Sequence, residues 1–212
     1  MTRQQDAECA IEAGVDALGF MFWAPSKRFI AVDKAAKIVD QLSPYVTTVA
    51  VFVDPTAAEV DAVVENVAID SLQFHGHESA DFCTRFGRPF VKALAMRPDQ
   101  DVSGFCLQYH QADGVLLDTY RPGTPGGTGQ QFSWQWIPRQ LSLPVILAGG
   151  LAPENITEAV CTVRPYAVDV SSGVESSPGC KNPKKLQALC RAVRRADAMV
   201  EGLESQTTGE YS

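Results

Sequence analysis

Three turns rich in glycine and serine, each directly after a short apolar run, carry the most informative chemistry of this chain. They are Gly126-Gly127-Thr128-Gly129, Gly149-Gly150 within Leu147-Ala148-Gly149-Gly150-Leu151, and Ser171-Ser172-Gly173 after Val168-Asp169-Val170. Glycine lets backbone N–H groups approach a phosphate closely, and a helix N-terminus that follows adds a favourable dipole. One such turn needs only a tight bend. Three in series at strand ends point to a phosphorylated ligand on one face of a sheet or barrel. Gly149, Gly150, Ser172 and Gly173 are the expected backbone donors, with the Ser171 hydroxyl beside them. Gly127 belongs to a loop expected to form a mobile flap, although its glycines also suit a plain flexible loop.

Charged groups stand near these turns. Asp118 closes the run Gly114-Val115-Leu116-Leu117, which puts it at the C-terminal end of a strand; its alternative is to cap the next loop. Arg28 ends Ser26-Lys27-Arg28, where its planar fork can hold a carboxylate bidentately, a job lysine does poorly. The alternative for Arg28 is a solvated loop, and Lys27 is read as a surface charge. Asp169 alternates with Val168 and Val170 and so is expected to face inward, to complete the site or to orient a neighbouring loop. His75 and His77 flank Gly76, but no third metal ligand is spaced nearby, so hydrogen-bonded loop histidines are expected and no metal site is assigned. Trp23, Trp134 and Trp136 read as packing residues. Lys92 is the one lysine near a position suited to a Schiff base.

The elements that must position these groups alternate regularly. Strands are expected over residues 15–22, 46–53, 69–74, 89–94, 114–118, 144–148 and 166–170, apolar on both faces as buried parallel strands are. Helices are expected over 2–13, 32–42, 57–66, 79–86, 98–109, 132–140, 153–163 and 184–196, and Thr2 and Gln5 read as a capping box. Such alternation predicts parallel crossover units. Eight helices against seven strands, opening on a helix, predict an α/β fold: a (β/α)8 barrel of the phosphate-binding type, N-terminally truncated by its first strand. A doubly wound sheet would place its phosphate turn after the first strand, whereas these turns follow the last three. One barrel domain is expected over 1–198, with a polar, disordered tail over 199–212.

Composition agrees with a soluble enzyme or binder. At 212 residues, with 20% charged and 45% hydrophobic residues, the chain can bury one full core. A formal charge of −7 argues against nucleic acid or anionic membrane as a bulk partner. The six cysteines form no C-x-x-C pair, and no leader-like or membrane-spanning run is present, so a cytoplasmic location is expected. The expected partner is a small phosphorylated molecule, and the protein is expected to be a monomer or homodimer.

Several of these segments together resemble a known family. Gly19-Phe20-Met21-Phe22, Ser26-Lys27-Arg28, Gln73-Phe74-His75-Gly76, Leu116-Leu117-Asp118-Thr119, Gly126-Gly127-Thr128-Gly129, Leu147-Ala148-Gly149-Gly150-Leu151 and Val168-Asp169-Val170-Ser171-Ser172-Gly173-Val174-Glu175 resemble, in order, the motifs of phosphoribosylanthranilate isomerases. The resemblance implies a (β/α)8 barrel that performs a cofactor-free Amadori rearrangement in tryptophan biosynthesis, with Asp118 as general acid. Arg28 would then grip the anthranilate carboxylate. It also implies a general-base cysteine in a Lys-hydrophobic-Cys-Gly motif ending the first strand, and residues 1–212 contain no such motif. Cys180, on a loop after the last expected strand, is the thiol that could approach the mouth. The alternative is a non-catalytic phosphosugar-binding or partner-binding barrel.

Overall fold

The computed structural model describes residues 1–119 and 132–208. The Gly126-Gly127-Thr128-Gly129 turn, with Gly127, and residues 209–212 lie outside the described residues.

Seven parallel strands form one sheet: β1 (Ala17–Met21), β2 (Thr47–Phe52), β3 (Ser71–Phe74), β4 (Phe90–Met96), β5 (Gly114–Thr119), β6 (Val145–Leu147) and β7 (Ala167–Val168). They lie side by side in chain order, each paired with the next, as successive crossovers of one hand require. A single cavity touches residues of all seven strands, so the sheet curls around it. The fold is therefore the expected α/β barrel type, with β1 and β7 as the two edges of its sheet.

The helices α1 (Gln4–Ala13), α2 (Val32–Val39), α3 (Ala57–Asn66), α4 (Ala80–Cys83), α5 (Val102–Gln108), α6 (Ile156–Val163) and α7 (Pro183–Thr208) lie outside the sheet. α7 packs against both α6 and α1, so the helical layer is continuous across the arc where β7 and β1 do not pair. Most buried apolar side chains lie between sheet and helices, among them Leu18, Phe20, Phe52, Leu72, Phe74, Leu117 and Leu147. Ala93, Leu116 and Ala148, with Val91 and Ile146, form a separate inner cluster. Strand alternation explains the division: Leu117 and Leu147 face the helices while Leu116 and Ile146 face the lumen. By the same parity Asp118 points inward.

Some local expectations do not hold. No capping box forms at Thr2: the N-cap of α1 is Arg3, and the Thr2 hydroxyl donates instead to the Gly179 carbonyl. A complete box forms at Thr56 and Glu59. The helix expected over 132–140 is only a single 3₁₀ turn at Trp134–Trp136, because Pro138 follows at once and cannot continue a helical hydrogen-bond ladder. α7 runs to Thr208, with Leu186, Leu189 and Ala196 buried along one face. After β7 the chain also makes a short antiparallel hairpin, β8 (Glu175–Ser177) and β9 (Cys180–Lys181), which strand periodicity did not reveal.

Candidate functional site

The cavity inside the sheet has a volume of about 740 Å³, enough for a drug-sized ligand. Its lining includes Trp23, Arg28, Gln73, His75, Asp118, Asp169, Ser171, Glu175 and Lys181, all on loops or at strand ends on one side of the sheet. A smaller recess of about 40 Å³ opens beside it, bounded by Asp118, Gly149, Gly150, Asp169, Ser171 and Ser172.

Asp118 is 7% exposed at the end of β5. Its Oδ1 accepts from the Thr119 N–H at 2.7 Å, and its Oδ2 lies 3.2 Å from His75 Nε2. Gln73 Nε2 sits 3.2 Å from His75 Nδ1. His75 thus bridges Gln73 on one ring nitrogen and Asp118 on the other. The end of β3 and the loop that follows it therefore supply a two-residue relay, Gln73 to His75, that orients the carboxyl on β5. The loop carrying His75 is held from behind by the buried pair Glu78–Lys92, 3.0 Å apart. Glu78 accepts from the N–H groups of Asp54 and Gly76, and Lys92 donates to the Gly76 carbonyl. Lys92 shares the outward parity of Phe90 and Leu94, so its ammonium lies behind the lumen wall and does not meet a ligand there.

Asp169 faces the lumen, and its surface opens on the cavity. Enclosure by protein atoms, and then the neighbouring Asp118, push its pKa above the ordinary aspartate value; Lys181 and His75 oppose the shift less strongly. The two carboxyls disfavour simultaneous charge.

The turn after β6 places Gly149 and Gly150 at φ +85° and +66°, a left-handed conformation that glycine adopts without strain. A Cβ on Gly149 would stand 2.7 Å from the Thr119 nitrogen and 2.9 Å from Asp118 Oδ1, so glycine lets this turn lie against the acid. A Cβ on Gly173 would strike the Leu151 carbonyl, so the two turns touch. Asn155 braces the first turn, accepting from Ala152 N–H and donating to the Gly150 carbonyl. Among the described residues, the N–H groups of Gly149, Gly150 and Ser172 make no backbone hydrogen bond.

Arg28 stands across the cavity on the loop after β1. Its Nε donates to Glu175 Oε1 at 2.8 Å and its Nη2 to Oε2 at 2.7 Å. Lys181 Nζ reaches Glu175 Oε1 at 3.3 Å and the Ser171 carbonyl at 3.0 Å. Burial acts to raise the Glu175 pKa, but Arg28 and Lys181 outweigh it and hold the carboxyl below the usual glutamate value. The sequence did not mark Glu175 or Lys181 as site residues. An acid after an apolar residue beside a glycine turn was the available signal, and its partner is 147 positions away.

The sequence pattern of the N-(5'phosphoribosyl)anthranilate (PRA) isomerase family matches residues 1–192. The chain belongs to this family. It is 48% identical over 197 residues to an N-(5'-phosphoribosyl)anthranilate isomerase of Pseudomonas fluorescens, covering 93% of this chain and 94% of that one. It is also 48% identical over 196 residues to the isomerase of Azotobacter vinelandii, covering 92% and 95%. The crystal structure of phosphoribosyl anthranilate isomerase from Thermotoga maritima superposes with a TM-score of 0.85 at 34% identity, covering 92% of this chain and 96% of that chain. A phosphoribosyl anthranilate isomerase in complex with reduced 1-(o-carboxyphenylamino)-1-deoxyribulose 5-phosphate superposes at 0.81 with 33% identity, covering 92% and 95%.

Of the residues singled out in the sequence, Asp118, Gly149, Gly150, Ser171 and Ser172 border the small recess and Arg28 lines the large cavity, while Gly173 lines neither and packs against the Leu151 carbonyl. Trp23, expected as packing, lines the cavity. His77 is exposed, and its N–H donates to Asp54. Of the cysteines, Cys190 reaches the wall of the large cavity from α7, and none borders the recess at Asp118. Cys180 lies in the hairpin strand β9 and lines neither cavity. Burial raises the thiol pKa of Cys190, and that of Cys83 to about 12, so neither is poised as a thiolate.

Proposed function

We propose that this chain isomerises N-(5-phosphoribosyl)anthranilate to 1-(2-carboxyphenylamino)-1-deoxyribulose 5-phosphate, an Amadori rearrangement in tryptophan biosynthesis. The observation that carries this reading is Asp118: an inward-facing carboxyl at the end of β5, oriented by His75 and Thr119, beside a glycine–serine recess and across a cavity from Arg28.

Each part has a task. The N–H groups of Gly149, Gly150, Ser172 and Gly173, with the Ser171 hydroxyl, take the phosphate, as loops after the last two strands do in such barrels. Arg28 takes the anthranilate carboxylate. Asp118 gives a proton to the ribose ring oxygen as the C1–O bond breaks, and the anthranilate nitrogen lone pair forms the C1–N double bond. A base then removes the C2 proton, and the resulting enol tautomerises to the ketone. The base implied by family likeness is a cysteine in a Lys-hydrophobic-Cys-Gly strand, a motif that residues 1–212 do not contain.

The test compares turnover of phosphoribosylanthranilate by this chain and by the chain extended at its N-terminus with a strand ending in that motif. Asp118→Asn should lower turnover by about 10²–10⁴-fold in whichever form is active. An undiminished rate removes Asp118 as the acid. Binding of the phosphosugar without turnover by either form replaces the isomerase with a binding barrel.

A further inference from the structure

Arg28 is held in a way that leaves part of its guanidinium unused. Glu175 occupies Nε and one side of Nη2, by contacts of 2.8 and 2.7 Å. A guanidinium carries five N–H donors, so three remain: both on Nη1 and the second on Nη2. Among the described residues no other group accepts from them, and Arg28 lines the large cavity. The free edge is the end-on pair Nη1/Nη2, itself a second fork that matches a carboxylate.

Glu175 is buried at 7% exposure and has a second cation, Lys181, whose ammonium also donates to the Ser171 carbonyl. Two cations share the Glu175 carboxylate, so its oxygens are fully engaged and Arg28 is held from its side edge alone. The backbone of Glu175 is tied down as well: Lys185 Nζ donates to its carbonyl. The network thus joins the Arg28 loop after β1 to the Ser171 turn after β7, on opposite edges of the sheet.

We infer that Glu175 is a positioning residue for substrate recognition: it clamps the side edge of Arg28 so that the free end edge meets an aryl carboxylate, and through Lys181 it sets that edge at a fixed span from the phosphate turn. This rests on the isomerase reading given above. Glu175 thereby makes the site selective for a phosphosugar whose arylamine carries an ortho carboxylate over one that lacks it.

Calorimetry with two probes tests this: reduced 1-(o-carboxyphenylamino)-1-deoxyribulose 5-phosphate and its phenylamino counterpart without the carboxylate. The unaltered chain should bind the first more tightly by about 10–100-fold, the worth of charge-assisted hydrogen bonds to Arg28. Glu175→Gln should lose most of that preference, about 10-fold, while its affinity for the carboxylate-free probe stays within about twofold. In an Arg28→Ala background the same substitution should leave the ratio unchanged, because the two residues act as one unit. Glu175→Asp keeps the charge but is too short to span Nε and Nη2; it should show the same selective loss and serves if the glutamine variant does not fold.

Equal weakening of both probes would mean that Glu175 merely supports the Ser171 turn, and would overturn the inference. So would a preference retained in both variants. An unaltered chain that binds neither probe overturns the isomerase reading first, and a chain that binds both equally removes Arg28 from carboxylate recognition.

Discussion

Asp118 and Asp169 share one inner surface, and their environments treat them differently. Asp118 is fixed in place by Thr119, whose N–H donates to Oδ1, and by His75, whose Nε2 stands 3.2 Å from Oδ2. Asp169 has its pKa raised by enclosure and by Asp118. A carboxyl whose folded pKa is raised binds more protons folded than unfolded, so stability falls as pH climbs through that window. Asp169→Asn should therefore raise the melting temperature at neutral pH, and the gain should vanish below the ordinary aspartate pKa of about 3.9. Melting curves between pH 3 and pH 8 would check this. A gain that persists at the acid end would mean that packing, not charge, is responsible. Asp169 was legible in the sequence as an inward residue because alternation alone fixes its side. Its coupling to Asp118 was not, since that depends on β5 and β7 curling toward each other.

At the scale of elements, turns at strand ends do the positioning. The β6 turn can press against the end of β5 only because Gly149 has no side chain and adopts φ +85°. Gly149→Ala should cost about 1–3 kcal/mol from the strained backbone alone. It should also push Thr119 and the Asp118 carboxyl out of place, since the new Cβ would stand 2.9 Å from Oδ1. Urea unfolding would read the first effect, and phosphosugar affinity the second. An alanine variant with unchanged midpoint and affinity would show that the turn relaxes freely. The glycine pairs were visible in the sequence, and so were six of the seven helices over most of their length. The Trp134–Trp136 segment deceived because aromatic spacing looked helical while Pro138 limits it to one turn. The β8–β9 hairpin was missed because two and three residues are too few for a period to register.

For the whole molecule, among the described residues β1 ladders only with β2 and β7 only with β6, the far edge of β1 carrying just the Met21–Phe29 bridge and the Met1 amine on Gly19, whereas β4 and β5 pair over six residue positions in mid-sheet. α7 spans that arc by packing on α6 and α1, which covers the gap but does not extend the strand ladder. Local openings begin where backbone hydrogen bonds are fewest. Amide exchange should accordingly be faster at Ala17–Met21 and Ala167–Val168 than at Gly114–Thr119, read by mass spectrometry on peptides from each strand. Uniform protection across all seven strands would show that the edges are covered in solution. An unpaired strand edge is also a template for another extended chain.

The sequence by itself determined the strand order, the strand-end place of Asp118, the inward parity of Asp169, and the clustering of glycine turns at strand ends. Each of these follows from a local rule: alternation along a strand, crossover between parallel neighbours, or glycine at a tight bend. Tertiary structure decided which charges meet. Arg28 finds Glu175 across 147 positions and His75 finds Asp118 across 43, because the curl of the sheet brings distant loops to one mouth. Lys92, which strand position alone left open as a Schiff-base candidate, faces outward and is locked to Glu78. Such pairings depend on curvature and register summed over the whole sheet, and no stretch of a dozen residues contains that information.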